Sequence, residues 1–311
     1  NRVEGLFIQG LKLIKTVKKF NPDLVLLLGD REEAMSMSLV ATYLRIPIAH
    51  VSGGDNVHGN VDDHIRHAVS KLAHIHFTTN IDSKKRLIKM GEKKSNVYNV
   101  GNPGLDRIMS VNKIKKKLID NYLGFKLKKT EKFCVCIQHP ISSEYEFSYN
   151  QMKITLQALK ELKIKTVIIY PNSDPGNNGI IKAINENKSN PIFSIKKNIE
   201  RKFFVNILRN ASFIIGNSSC GILEAPILGL PAINIGNRQS KRFHASNVFF
   251  VGHNLKLIKS KIIKILKKKK SNFLNKKEKF IFGNGKSSLK IVKVLKKVKI
   301  NKSFFNKSNA Y

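Results

Sequence analysis

Asp30, Asp55, Asp62 and Arg66, with His67 beside them, are residue types suited to moving a proton on a small substrate. Asp30 follows the apolar run Leu24 to Leu28, and Asp55 closes the turn Ser52-Gly53-Gly54-Asp55 after the run Ile48 to Val51. Asp62 and Arg66 are spaced to share one helix face and pair, while Asp63 and His67 share the next face. Carboxylates gathered at one sheet edge raise one another's pKa, which suits a group that takes and returns a proton. Taken singly, Asp62 and Asp63 read equally well as helix caps and Arg66 as a structural ion pair. The gathering at one edge favours chemistry.

A second group, His139 and Asn172, follows two further apolar runs. A histidine between a strand and Pro140 has a fixed backbone, and is a candidate acid or leaving-group stabiliser. Alone it would more often be structural. The third group lies in Phe213 to Arg238, FIIGNSSCGILEAPILGLPAINIGNR. An apolar strand there ends in Gly216-Asn217-Ser218-Ser219-Cys220-Gly221, small residues that leave backbone N–H groups uncovered. A helix from Ile222 to Leu228 is expected next, stopped by Gly229 and Pro231, so that its positive end and the free N–H groups could hold a phosphate. Glu224 is placed to accept from ribose hydroxyls, and the strand Ala232 to Ile235 delivers Asn237 and Arg238 to the same edge. The plainer reading is an N-cap serine and a dipole-complementing glutamate. No His/Cys/Asp set has metal-site spacing, so neither a metal nor a cofactor is expected.

The elements that must carry these residues alternate. Helix Glu4 to Phe20, strand Leu24 to Leu28, helix Glu32 to Leu44, strand Ile48 to Val51, helix Val61 to Ala73 with Asn60 as N-cap, and strands His76 to Thr78 and Val97 to Val100 form the first half. A lysine-rich helix and linker from Met109 to Lys132 separates it from the second. There, strand Phe133 to Ile137, helix Tyr149 to Leu162, strand Thr166 to Tyr170, helix Asn177 to Asn185, strand Phe193-Ser194 and helix Ile199 to Leu208 lead into the phosphate turn. Helices near Leu255 to Lys269 and Ser287 to Lys299 follow. This order predicts an α/β protein of two Rossmann-like domains facing a cleft, with ligands at the carboxyl edges of the strands. The expected domains are 1–115, 125–283, and a segment 284–311 crossing back to the first.

A 41% apolar content supports a packed core, and no apolar run approaches the ~20 residues of a membrane helix. The start lacks a signal-peptide design, and three cysteines fit a cytoplasmic protein, which is the expected location. The formal charge of +36 invites a nucleic-acid reading. The excess is mostly lysine spread along the chain without a recognition motif, so specific nucleic-acid binding is not expected, only weak polyanion attraction.

Several motifs carry a family resemblance. Gly29-Asp30-Arg31, Ala49-His50-Val51-Ser52-Gly53-Gly54-Asp55, Val61-Asp62-Asp63-His64-Ile65-Arg66-His67-Ala68-Val69-Ser70-Lys71, His139-Pro140, Pro171-Asn172-Ser173-Asp174, the Gly216–Gly221 turn and Asn234-Ile235-Gly236-Asn237-Arg238-Gln239 together resemble the hydrolysing UDP-N-acetylglucosamine 2-epimerases. The match runs in order over nearly the whole chain.

The resemblance implies a glycosyltransferase-B-like fold with the nucleotide held mainly by the second domain, and a nucleotide-sugar substrate. It implies loss of the sugar C2 proton and of UDP to give a glycal, then hydration to a free 2-epimeric sugar such as N-acetylmannosamine for a sialic-type acid. By position, Asp30 and Asp62 resemble the catalytic carboxylates, Arg66 their partner, and His139 a residue near the departing oxygen. Ser218 and Ser219 resemble phosphate contacts, Glu224 the ribose contact and Arg238 a nucleotide-side residue, with Arg31 and Asn172 also on binding positions. A homo-oligomer, dimer or tetramer, is expected as in that family. Where members often carry glutamate or histidine this chain has Ser52, for which Asp55 could stand in. The family's opening strand and phosphate loop have no match, implying a chain short by about one βα unit. The competing readings are the same chemistry on a UDP- or GDP-linked 2,4-diacetamido-2,4,6-trideoxy sugar of the legionaminic type, a glycosyltransferase of the same fold, and a basic nucleic-acid-binding protein.

Overall fold

In the computed structural model the described residues are 2–56, 61–125 and 131–310. Asn60, the expected N-cap, lies outside them, as does the loop it follows through Gly59. The chain forms two compact units: Asn1–Arg107 with Ile281–Tyr311, and Ile108–Phe280.

The first unit runs α1 (Arg2–Phe20), β1 (Val25–Leu28), α2 (Glu32–Tyr43), β2 (Ile48–Val51), α3 (Asp62–Leu72), β3 (Ile75–Thr78), α4 (Ile81–Lys89) and β4 (Val97–Asn99). Its strands make one parallel sheet in the order β1-β2-β3-β4. Strands β2 and β3 are buried along their whole length, as a parallel sheet covered on both faces requires. The edge strand β1 alternates instead, with Leu26 and Leu28 exposed.

Helix α5 (Gly104–Ser110) carries the chain onward to α6 (Lys116–Leu123) of the second unit. Then come β5 (Phe133–Ile137), α7 (Ser148–Glu161), β6 (Lys165–Ile169), α8 (Asn177–Asn185), β7 (Phe193–Lys196), α9 (Arg201–Asn210), β8 (Phe213–Gly216), α10 (Cys220–Leu223), β9 (Ala232–Ile235), β10 (Val248–Val251) and α11 (Leu255–Leu266). All six strands are parallel, in the order β10-β9-β8-β5-β6-β7. The chain starts in the middle at β5, winds outward through β6 and β7, then returns to wind the other way from β8. The strand order therefore reverses between β5 and β8, where the loops leaving two adjacent strands part and open a crevice. Finally α12 (Ser287–Leu295) returns to the first unit, where Ile291, Val294 and Leu295 pack on Ala49, Val51, Ile75 and Phe77.

Several elements differ from the sequence expectation, among them the short helices α5 and one at Lys302–Phe305, which it did not include. The helix expected over 222–228 is two pieces, the four-residue α10 and a 3₁₀ turn at Pro226–Leu228. Pro226 offers no N–H to continue the ladder and its ring obstructs the preceding turn. Helix α4, amphipathic but poor in apolar residues, begins at Asn80, whose side chain accepts from the Ser83 N–H at 2.9 Å. Strand β10 was also unforeseen, because its VFFV run is short and half-buried at the sheet edge.

Candidate functional site

Asp30 stands on the turn leaving β1, and Arg66 on the buried side of α3 donates to its carboxylate through Nη2. Arg66 Nη1 also lies 3.8 Å from Asp63 Oδ1, so the guanidinium serves Asp30 and Asp63 rather than the expected partner Asp62. The reason is position: Asp62 opens α3, half-exposed, and its carboxylate has no ion pair among the described residues. A fixed positive charge thus sits between two acids, with a third, solvated acid at the helix start. Arg31 is exposed at the N-cap of α2.

His50 holds the Asp30 turn against α3. Its Nε2 lies 2.8 Å from the Gly29 carbonyl oxygen and its Nδ1 3.1 Å from Ser70 Oγ. A carbonyl can only accept, so the proton is on Nε2 and Nδ1 accepts from the serine hydroxyl. Burial pushes the pKa down to about 4, against the bond to Gly29 and with help from His76, so the ring is neutral near pH 7. Gly53 makes this close fit possible: a Cβ there would stand 2.9 Å from both His50 Nδ1 and Ser70 Oγ. Sequence reading missed His50, although a polar residue inside the apolar run Ile48–Val51 was a visible signal.

Asp55 turns inward. Its Oδ1 accepts from Thr79 Oγ1 and Ser83 Oγ, each at 2.6 Å, and from Asn80 Nδ2 at 3.5 Å, and the residue is 5% exposed. These bonds tie the glycine turn to the start of α4. Ser52 takes a left-handed backbone (φ 66°), which a serine adopts only when its surroundings hold it there.

The buried charges of this unit predict a two-stage acid response. His50 has a folded pKa near 4 against 6.5 unfolded, so the unfolded chain takes up a proton the folded one refuses, and stability falls as pH drops from about 6.5 to 4. That shift corresponds to roughly 3 kcal/mol for His50, at about 1.4 kcal/mol per unit. Glu92 behaves in the other sense. Burial alone would raise its pKa, but hydrogen bonds from His76, Lys307 and Lys71 hold it near 2, so its contribution is complete above 4.5 and is lost as pH falls to about 2. Thermal melts from pH 7.5 to 3 should show a declining melting temperature through both windows, and a flat profile between pH 6.5 and 4 would contradict the buried neutral histidine.

In the second unit the sequence-selected residues gather where β5 and β8 part. Gly216 ends β8 at φ 125°, and Asn217 then bridges the two strands' exits. Its Oδ1 accepts from the His139 N–H at 2.7 Å, and its Nδ2 donates to the His139 carbonyl at 2.8 Å. Arg238 Nη1 and Gln239 Nε2 each donate to the Asn217 carbonyl at 3.3 Å, bringing the turn after β9 to the same place. Ser218 Oγ accepts from the Cys220 N–H at 3.3 Å, while the Ser219 hydroxyl caps nothing. With α10 only one turn long, the helix dipole assumed from sequence is not available, and the N–H groups of Asn217, Cys220 and Gly221 are bonded internally; the Ser218 and Ser219 N–H groups, the two hydroxyls and Arg238 supply the anion-attracting character.

His139 has a defined proton. The Asn172 N–H donates to its Nδ1 at 3.1 Å, so in the neutral ring the hydrogen is on Nε2. Burial, reinforced by the Arg238 cation and opposed by Asp174, lowers its pKa to about 4. It is therefore a neutral N–H donor near pH 7, with the fixed positive charge provided by Arg238. Asn172 Nδ2 is itself held by Asp174 Oδ2 at 2.5 Å. Glu224 closes α10 with Oε1 4.0 Å from Arg201 Nη1 and Oε2 3.4 Å from Cys220 Sγ, and burial raises both its pKa and that of the thiol. A thiol so raised is a packing group rather than a nucleophile. Among the described residues no group of His, Cys, Asp and Glu is arranged to hold a metal ion, and no helix is long and apolar enough to cross a membrane.

A doubly wound sheet whose switch point carries hydroxyls, an arginine and a neutral histidine defines a Rossmann-type α/β protein equipped for a phosphorylated ligand. Residues 5–296 match the family model for UDP-N-acetylglucosamine 2-epimerase, and the chain belongs to that family. It is 37% identical over 290 residues to a UDP-N,N'-diacetylbacillosamine 2-epimerase (hydrolyzing) of Legionella pneumophila, covering 93% of this chain and 75% of that protein. A GDP/UDP-N,N'-diacetylbacillosamine 2-epimerase (hydrolyzing) of Campylobacter jejuni is 33% identical over 230 residues, covering 73% of this chain and 59% of that protein. The solved UDP-GlcNAc 2-epimerase of Neisseria meningitidis bound to UDP-GlcNAc superimposes with a TM-score of 0.81 at 22% identity, over 96% of this chain and 82% of that one. The shared fold is glycosyltransferase-B-like, with a parallel Rossmann-type sheet in each unit.

Proposed function

We propose that this protein is a hydrolysing 2-epimerase of a UDP-linked 2-acetamido sugar, taking UDP-N-acetylglucosamine to N-acetylmannosamine and UDP. The observation that carries the reading is the switch-point arrangement of the second unit, where Ser218, Ser219, Arg238 and neutral His139 converge on one turn, within a chain of this family. The turn and Arg238 take the diphosphate, with Glu224 toward the ribose. Asp62, solvated and unpaired by Arg66, removes the proton from C2, and Asp30, held by Arg66, stabilises or returns a proton. The C1–O bond breaks and UDP leaves with the electron pair, its oxygen receiving a hydrogen bond from His139. Water then adds to the glycal, hydroxyl to C1 and proton to the opposite face of C2, and the free 2-epimer departs. Asp55, whose carboxylate is spent on α4, is assigned an anchoring role in place of proton transfer.

A second substrate, UDP-N,N'-diacetylbacillosamine, is favoured by the names of the Legionella and Campylobacter relatives. Incubating the protein with each nucleotide sugar in heavy water, without acceptor, tests both readings together. Release of UDP with a free 2-epimer carrying deuterium at C2 is expected, and the faster substrate identifies the sugar. Intact substrates would sink the proposal, and transfer only to an added acceptor would mark a glycosyltransferase.

A further inference from the structure

We propose that the C-terminal tail of the first unit is a positioning strap for the acid-bearing turn of that unit, acting through Lys307 at the far end of α3. Lys307 Nζ lies 3.2, 2.6 and 2.7 Å from the carbonyl oxygens of Ser70, Lys71 and Ala73. These belong to the last turn and C-cap of α3, where helix carbonyls run out of N–H partners, although the Ser70 carbonyl also takes the Ala73 N–H at 3.2 Å. The same ammonium stands 3.0 and 2.9 Å from the two oxygens of Glu92, a carboxylate 3% exposed. Three protons thus serve five acceptors, at the negative end of the helix that opens with Asp62 and carries Arg66 at mid-length.

The tail is fastened at three more points. The Phe304 ring stacks on His74 at 5.6 Å, Lys71 Nζ donates to Asn309 Oδ1 at 2.8 Å, and the Ala310 N–H donates to the Gly91 carbonyl at 2.8 Å. Here α13 (Lys302–Phe305) lets the chain turn back over α3.

Ser70 is where the strap meets the acids. Its carbonyl takes Lys307, and its hydroxyl donates to His50 Nδ1. His50 Nε2–H holds the Gly29 carbonyl, and the next residue, Asp30, is paired with Arg66, back on α3. The path begins and ends on one helix, so it closes into a loop that fixes the Asp30 turn relative to α3. A simple helix cap would need one or two of the Lys307 contacts and would leave the Asp30 turn indifferent to the tail. The kinetic arm below rests on the acid–base reading of Asp30 and Asp62; the exchange arm does not.

Amide exchange by mass spectrometry on the full chain compares wild type with Lys307→Met and Lys307→Arg. In Lys307→Met, exchange over residues 29–31 should rise by about fivefold or more, as local opening becomes easier. The turnover number should fall about tenfold, the loss expected when a reacting group is slightly misplaced, with KM and UDP affinity within twofold. Lys307→Arg, which still reaches carbonyls and carboxylate, should recover most of both. Unchanged exchange over 29–31 in Lys307→Met overturns the strap. If that variant does not fold, Ser70→Ala, which deletes the hydroxyl link alone, decides: faster exchange over 29–31 supports the strap and none overturns it. A wild type that turns over no nucleotide sugar removes the functional reading, while the exchange result still settles the strap.

Discussion

Gly216→Ala should cost the second unit at least about 3 kcal/mol of stability and abolish UDP binding. An added Cβ would stand 2.0 Å from the Ile137 carbonyl oxygen and 2.6 Å from its carbon, atoms of the neighbouring strand's backbone that no rotamer change can move. The backbone there also lies at φ 125°, a region that side chains with a Cβ rarely enter. Relief requires β8 to slide from β5, which breaks the Ile137–Gly216 register and pulls Asn217 from the His139 backbone. Urea unfolding with a titration of UDP measures both effects. A variant with wild-type midpoint and affinity would mean that the β5–β8 exit is not built as described.

Asp62→Asn should lower turnover by roughly 10² to 10⁴, the usual range for losing a general acid or base. Its stability should stay within about 0.5 kcal/mol of wild type, because the carboxylate is half-exposed and no described residue pairs with it. UDP affinity should not move. Asp30→Asn offers the contrast: it leaves the Arg66 guanidinium, 5% exposed, without its main counter-charge, so it should lose stability as well as rate. Equal turnover in wild type and Asp62→Asn would remove Asp62 from the reaction.

Much of this architecture can be read from apolar runs. IAHV, FCVCI and AINI are strands at the residues their composition indicates, since a parallel sheet covered on both faces needs mostly apolar strands, here broken only by the buried His50 and Asn234. Helix α4 escaped notice because its polar sequence, IDSKKRLIK, covers the sheet with little more than Leu87. The site was legible as residue types but not as partnerships. Arg66 reaches Asp30, from a different element, because the buried face of α3 points it there; helical spacing alone suggested Asp62. Asp55 looked available until the hydroxyls of Thr79 and Ser83 claimed it. Asn217 and His139, 78 residues apart, are joined only because β5 and β8 are neighbours in the sheet, a fact of topology that no local window contains.

That Asn217 amide bonds through both its nitrogen and its oxygen to the main chain of His139, so the floor of the proposed diphosphate site is tied in place before any nucleotide arrives. A floor already in place loses little conformational entropy on docking. The chain's large positive charge, +36, meanwhile draws polyanionic visitors from a distance. Capture should therefore be quick and sensitive to ionic strength, while residence time is governed by the short-range contacts of the turn.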